Sequence, residues 1–157
     1  MDRYPMTGPG LAKLEEEIKR LKHEERPSII KAIEEARAHG DLSENAEYHA
    51  AKERQSFIEG RILEVDDLIA RAEVIDPSLL SGETVMFGAT VVVADEDTEE
   101  ETTYTIVGSH EGDIATGLLS VTAPLARALI GKTIGDSVEV KTPKGEKFYE
   151  IIKVKFD

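Results

Sequence analysis

Asp41 and Glu44 are the residues of this chain whose type and spacing could do chemistry. They lie in Ala36-Arg37-Ala38-His39-Gly40-Asp41-Leu42-Ser43-Glu44-Asn45-Ala46-Glu47-Tyr48, the only break between two long helical patterns. Carboxylate oxygens suit a hard cation such as Mg²⁺, which often takes only one or two protein carboxylates beside phosphates and waters. Placed three apart at a helix start, the pair can point the same way. Alone in water it would hold such an ion poorly. The spacing has an equally simple structural reading: Asp followed three residues later by Glu resembles a capping box opening the second helix. Carboxylates there gain about 0.3–1 kcal/mol each from the helix dipole, with no catalysis involved. Both readings can hold for Asp41.

The flanking patterns must position these groups. Leu11, Leu14, Ile18 and Leu21 alternate steps of three and four; the pattern weakens at Glu25 and Pro27 and resumes at Ile29, Ile33 and Ala36. Ala51, Ile58, Ile62, Val65, Ile69 and Ala72 keep the same alternation on the return, with Gln55 filling one step. One narrow apolar stripe per helix is the mark of a coiled-coil seam. Each arm of about 30 residues predicts a hairpin roughly 45 Å long. Thr7 is the expected N-cap and Gly40 the C-terminal stop of the first helix. Pro27 should bend that arm or mark a local defect, because it removes a hydrogen bond and crowds the preceding turn. Carboxylates at the far end of such a rod can be delivered into a deep site on another molecule.

Composition narrows the function classes. The 157 residues contain no Cys, which excludes disulfides, thiol catalysis and Cys-ligated zinc. Four dispersed histidines argue no zinc site, and His23 and His110 read as isolated surface residues. Ser43 has no His partner arranged for nucleophilic catalysis. No apolar run is long enough to span a membrane and no signal-peptide pattern opens the chain, so a cytoplasmic protein is expected. The net charge of −13 is shared between residues 1–76 (−6) and 77–157 (−7). Neither half is basic, so any grip on nucleic-acid phosphates must be local or borrowed from a partner.

Beyond Ile75-Asp76-Pro77-Ser78 the helical period stops. The organisation expected is a hairpin over 1–76, a linker over 77–83 and a globular domain over 84–157. β-rich runs fall at Thr84 to Ala94, Thr102 to Val107, Ser137 to Lys141 and Phe148 to Phe156, where Ile152, Val154 and Phe156 alternate with charge. Asp95 to Glu101 and Pro143-Lys144-Gly145 read as turns. Ala123 to Ile130 reads as a short helix with Pro124 in its first turn and Gly131 closing it. Four strands and one helix make a small antiparallel α+β domain whose modest core favours packing on the hairpin base.

The tip string from Glu35 to Glu53 resembles the bacterial Gre transcript cleavage factors. Pro5-Met6-Thr7, Lys13-Leu14, Glu16-Glu17-Ile18, Glu59-Gly60-Arg61-Ile62 and Ala72-Glu73-Val74-Ile75-Asp76 extend the likeness. Phe87 to Val91, Tyr104 to Gly108, Ala123 to Lys132, Gly135-Asp136 and Lys141-Thr142-Pro143 carry it through the second half. The tip is highly specific, and His49-Ala50-Ala51 resembles the less basic of the family's two branches. The likeness implies an α+β protein: a long antiparallel coiled-coil hairpin, then an FKBP-like β domain. It implies insertion of the hairpin into the secondary channel of bacterial RNA polymerase, where the tip helps the polymerase cut the extruded 3′ end of backtracked RNA and elongation resumes. Asp41 and Glu44 would act there as catalytic and metal-binding residues on Mg²⁺ shared with the polymerase, two metals about 3.5–4 Å apart being the usual clamp on a phosphodiester. The chain would then be an accessory factor rather than an enzyme, and a monomer.

Around the tip, Arg37, His39, His49, Lys52 and Arg54 could steer RNA phosphate, or simply form a solvated, ion-paired face. Tyr48 could stack on a displaced base or pack at the hairpin end, and Glu47 reads as a solvated helix residue. Ser120, Val121, Thr122, Ala123 and Pro124 are the candidate docking loop on the polymerase rim, or else a turn shaping the following helix. Two other functions fit the same outline. One is a channel-occupying inhibitor without cleavage, against which Asp41 and Glu44 speak. The other is a coiled-coil adaptor or chaperone unrelated to polymerase. Prolyl isomerase activity is weaker still, since a fold supplies no active-site pocket.

Overall fold

The computed structural model describes residues 2–41 and 43–156. Met1, Leu42 and Asp157 lie outside them. The chain forms two compact units, one of residues 11–72 and one in which Asp2–Gly10 join the chain from Glu73 onward.

The first unit is a helical hairpin. Helix α1 (Gly8–Arg20), a π-helical turn (Leu21–Glu25) and α2 (Arg26–Arg37) form one continuous arm, and α3 (Ala46–Ala70) runs back. Thr7 caps α1 as expected, its hydroxyl accepting from Gly10 N–H at 3.1 Å. The defect expected at Pro27 is the π turn just before it. Arg26 N–H reaches Leu21 C=O five residues back, widening the helix where a proline ring crowds the preceding turn and offers no donor.

Leu21, Ile29, Ile33, Ala51, Ile58 and Ile62 form one buried cluster between the arms. On α3 the buried residue following Val65 is Leu68 rather than the expected Ile69, which is half-buried. Arginine forks flank the seam: Arg61 on Glu17 at 2.6 and 2.8 Å, and Arg26 on Glu59 at 2.8 and 2.7 Å. Planar guanidinium matches carboxylate two bonds at a time, which fixes register as well as adding attraction.

In the second unit, β1 (Tyr4–Met6) pairs with β2 (Ala72–Val74). A five-stranded sheet has the order β5-β4-β3-β7-β6. Its strands are β3 (Thr90–Asp95), β4 (Glu101–Val107), β5 (Leu118–Ser120), β6 (Ser137–Thr142) and β7 (Gly145–Lys155). Helix α4 (Pro124–Leu129) is the expected short helix, with Gly131 at φ +88° just beyond its end. The mixed α+β architecture is as expected.

Three details differ from the pattern-based expectation. The run from Thr84 is not one strand: Ala89 N–H closes a turn on Met86 C=O at 3.0 Å with Gly88 at φ +87°, and the strand begins at Thr90. The short β5 adds a parallel pairing, Thr105 opposite Leu118 through Val107 opposite Ser120. Three residues are too few to show a period. Ile152 is 39% exposed while Ile151 is 1% exposed. The cause is a β-bulge: Val92 faces Lys153 and Val93 faces Ile151, so Ile152 is the extra residue and the alternation slips by one. Ile151 and Val154 therefore share the core with Val85, Val91, Val93, Ile106, Leu119 and Leu129.

Candidate functional site: the hairpin tip

The end of α2 is closed by ordinary helix-terminal bonds. Ala38 N–H reaches Glu34 C=O, His39 N–H reaches Ala36 C=O, and Gly40 N–H reaches Arg37 C=O, at 3.2 to 3.3 Å. Gly40 then turns the chain out at φ +104°, a left-handed conformation that glycine adopts without penalty.

Beyond it, Asp41 folds its side chain onto the loop. Its Oδ1 accepts from the Ser43 hydroxyl at 2.8 Å and from Ser43 N–H at 3.0 Å. The hydroxyl first, then the backbone donor, holds the Asp41 carboxyl below the usual carboxylate range. Asp41 is thus ionised at neutral pH, and the residue is exposed. Glu44 is also exposed and precedes α3.

The N-cap of α3 is Asn45, whose Oδ1 accepts from Tyr48 N–H at 3.0 Å. The capping box expected from Asp41 to Glu44 is therefore absent. The Asp41 side chain is taken by Ser43, and the helix starts only at Ala46, after both carboxylates. Asn45 is the residue that spacing arguments passed over. Its signal was the strong preference of Asn for N-caps, hidden by the more conspicuous Asp-x-x-Glu spacing. Its Nδ2 donates to Ala36 C=O at 2.6 Å, so one amide touches both helix ends.

The other tip residues are largely spoken for. His39 Nε2 lies 3.7 Å from Glu47 Oε2, with both side chains well exposed. His49 Nε2 lies 3.3 Å from Ser43 C=O, next to the Asp41 turn. Lys52 donates to Gln55 at 3.2 Å and Arg54 to Glu25 at 2.8 Å. Tyr48 is half-buried against the hairpin cluster. Arg37 is exposed. Among the described residues, no group of three or more His, Asp or Glu side chains is arranged to hold a metal ion. The tip thus offers hard oxygen donors of the right chemistry for a divalent ion, but only part of a ligand set.

In the second unit, Ser120 and Thr122 hydroxyls lie 2.8 Å apart, and Thr122 N–H donates to Ser120 Oγ at 3.2 Å. Val121 N–H reaches Val107 C=O, and Ala123 N–H closes on Ser120 C=O, both at 2.9 Å. The turn leads into α4, with Ala123 at its N-cap and Pro124 in its first turn. Thr122 and Pro124 are exposed, while Val121 and Ala123 pack on the core. His23 is exposed, but His110 departs from expectation. It is half-buried, both ring nitrogens are shielded from solvent, and among the described residues neither has a hydrogen-bond partner. Among those residues no helix is long and apolar enough to cross a membrane.

Two family descriptions match almost end to end: "Transcription elongation factor, N-terminal" over residues 4–74 and "Transcription elongation factor, GreA/GreB, C-term" over residues 80–156. The chain is 65% identical over 156 residues to the transcription elongation factor GreA of Rhodospirillum rubrum, covering 99% of each chain. It is 63% identical to that of Acidiphilium cryptum over the same length and coverage. A crystal structure of GreA factor homolog 1 from Thermus thermophilus matches at 25% identity over 97% of this chain and 98% of that one. Its TM-score is 0.45.

Proposed function

This chain belongs to the GreA/GreB family of transcription elongation factors, and we propose that it acts on RNA polymerase by placing Asp41 and Glu44 in the secondary channel of a backtracked complex. There the tip stimulates cleavage of the extruded RNA 3′ end, and elongation resumes from the new end. The observation that carries this reading is the tip itself: two exposed carboxylates on the loop joining the helices, one with its charge secured by Ser43.

The arrangement suits an accessory role. Asp41 and Glu44 would complete the ligand set of a divalent ion held mainly by the polymerase, which would neutralise phosphodiester charge and acidify a bound water. Asp41 presents a carboxylate already ionised at neutral pH, so no proton need leave it on docking. Ser43 fixes the direction of that carboxylate through two bonds to one of its oxygens. Glu44, exposed just ahead of α3, is the candidate second ligand or water-orienting group. Arg37, exposed in the last turn of α2, is the candidate cation to meet RNA phosphate. His39 and Lys52 would first have to leave Glu47 and Gln55. Tyr48 supports the tip by packing on the hairpin cluster. Ser120, Val121, Thr122, Ala123 and Pro124 remain the candidate docking segment on the polymerase rim, with Thr122 and Pro124 its exposed members.

The test is RNA cleavage in purified backtracked complexes, with polymerase binding measured alongside. Asp41→Asn and Glu44→Gln should each lower the cleavage rate by at least about tenfold, the scale seen when a metal site loses a supporting group, while binding persists. Variants that cleave like wild type would reduce the pair to a feature of loop structure. A wild-type chain that binds but never stimulates cleavage would instead mark a channel-occupying inhibitor.

A further inference from the structure

Asn45 makes two hydrogen bonds that a single-purpose helix cap does not need. Its Oδ1 accepts from Tyr48 N–H in the first turn of α3, and its Nδ2 donates to Ala36 C=O near the end of α2. The orientation of the amide follows from its partners, because a backbone N–H only donates and a carbonyl only accepts. An amide supplies the two roles from two separate atoms, whereas a serine hydroxyl has both on one shorter-reaching oxygen. Aspartate and serine cap a helix about as well as asparagine, but neither can also donate to Ala36 while its oxygen accepts from Tyr48 in the same geometry.

The residues between these two anchor points are the ones that carry Asp41 and Glu44. We propose that Asn45 is the positioning residue of the tip: its side chain ties the end of α2 to the start of α3 and so holds the carboxylate-bearing loop at both ends. The loop's other described residues are exposed, and their side-chain bonds are short-range, Asp41 to Ser43 and His49 to Ser43, beside the exposed His39–Glu47 pair at 3.7 Å. Gly40, at φ +104°, has open space where a Cβ would stand, so no packing pins the turn there. The bond to Ala36 spans nine positions in sequence and links the two arms directly at the tip. Its loss should leave the hairpin folded while letting the loop sample positions that do not present both carboxylates together.

This inference rests on the cleavage reading, and its test separates the two. Asn45→Asp and Asn45→Ser keep an oxygen for Tyr48 N–H and lose the bond to Ala36; Asn45→Ala loses both. Wild type and the three variants are compared for melting temperature, half-saturating concentration on polymerase, and cleavage rate at saturating factor. The expected result is that Asp and Ser variants melt close to wild type and bind polymerase unchanged, yet cleave about tenfold more slowly or worse. The neutral Ser variant guards against the added charge of Asp being the cause. Ser and Asp variants that cleave at the wild-type rate would overturn the proposal. So would cleavage losses in all three that simply follow their losses in melting temperature, because that is the behaviour of a cap and nothing more. A wild-type chain without cleavage activity would sink the cleavage reading itself, and the role of Asn45 with it.

Discussion

At Gly10, in the first turn of α1, a side chain has no room: an added Cβ would stand 2.1 Å from Glu111 Oε1. Glu111 is not free to swing aside. Its carboxylate accepts from Thr7 N–H at 3.1 Å, from Gly108 N–H at 2.8 Å and from the Thr7 hydroxyl. In an unobstructed helix, Gly→Ala gains up to about 1 kcal/mol. Here the sign should reverse: Gly10→Ala should cost about 1–3 kcal/mol in denaturant unfolding, the penalty for stranding bonded polar groups. In a Glu111→Ala background the same substitution should become neutral or stabilising. A cost that persists in that background would show that Glu111 is not the obstacle. Glu111 drew no attention from sequence because nothing in its spacing points 104 positions back to Thr7.

Along the elements, neighbouring residues of similar chemistry have opposite fates. Ile62 is 3% exposed in the hairpin seam and Leu63 is 72% exposed beside it. Ile62→Ala should cost about 2–4 kcal/mol through lost burial and a residual cavity, and Leu63→Ala should stay within about 0.5 kcal/mol. That contrast was legible in the three-four alternation. In β7 the parallel contrast was not. Simple alternation selects Ile152, whereas the bulge opposite Val92 and Val93 buries Ile151. Ile151→Ala should therefore be the costly change, again by about 2–4 kcal/mol, and Ile152→Ala should be mild. Urea unfolding of both variants checks the register, and equal costs would argue against the bulge.

At the scale of the whole molecule, acidic charge and two separate apolar clusters set the behaviour. The hairpin cluster and the sheet core share no residue, so each unit has its own source of stability. With a net charge of −13, divided almost evenly along the chain, binding to free RNA or duplex DNA should be undetectable by fluorescence anisotropy at about 0.15 M salt, where even cationic proteins hold non-specific sites with Kd of only about 10⁻⁴–10⁻⁶ M. Tight binding to a free oligonucleotide would mean that Arg37 and its neighbours grip phosphate unaided. The sequence alone determined the hairpin, its seam apart from Leu68 in place of Ile69, the capping role of Thr7, the left-handed turn at Gly40 just beyond the helix end at Arg37, the defect at Pro27 and the short helix opening at Pro124. Each of these follows from chain-local rules, namely side-chain periodicity and the φ preferences or missing donors of single residues. The tertiary structure decided the bulge in β7, the parallel β5, the clasp of Glu111 on Thr7 and the bond from Asn45 to Ala36. Those depend on which distant backbone groups come to face each other once the core has packed, and a pattern read along one strand or helix carries no term for the partner across from it.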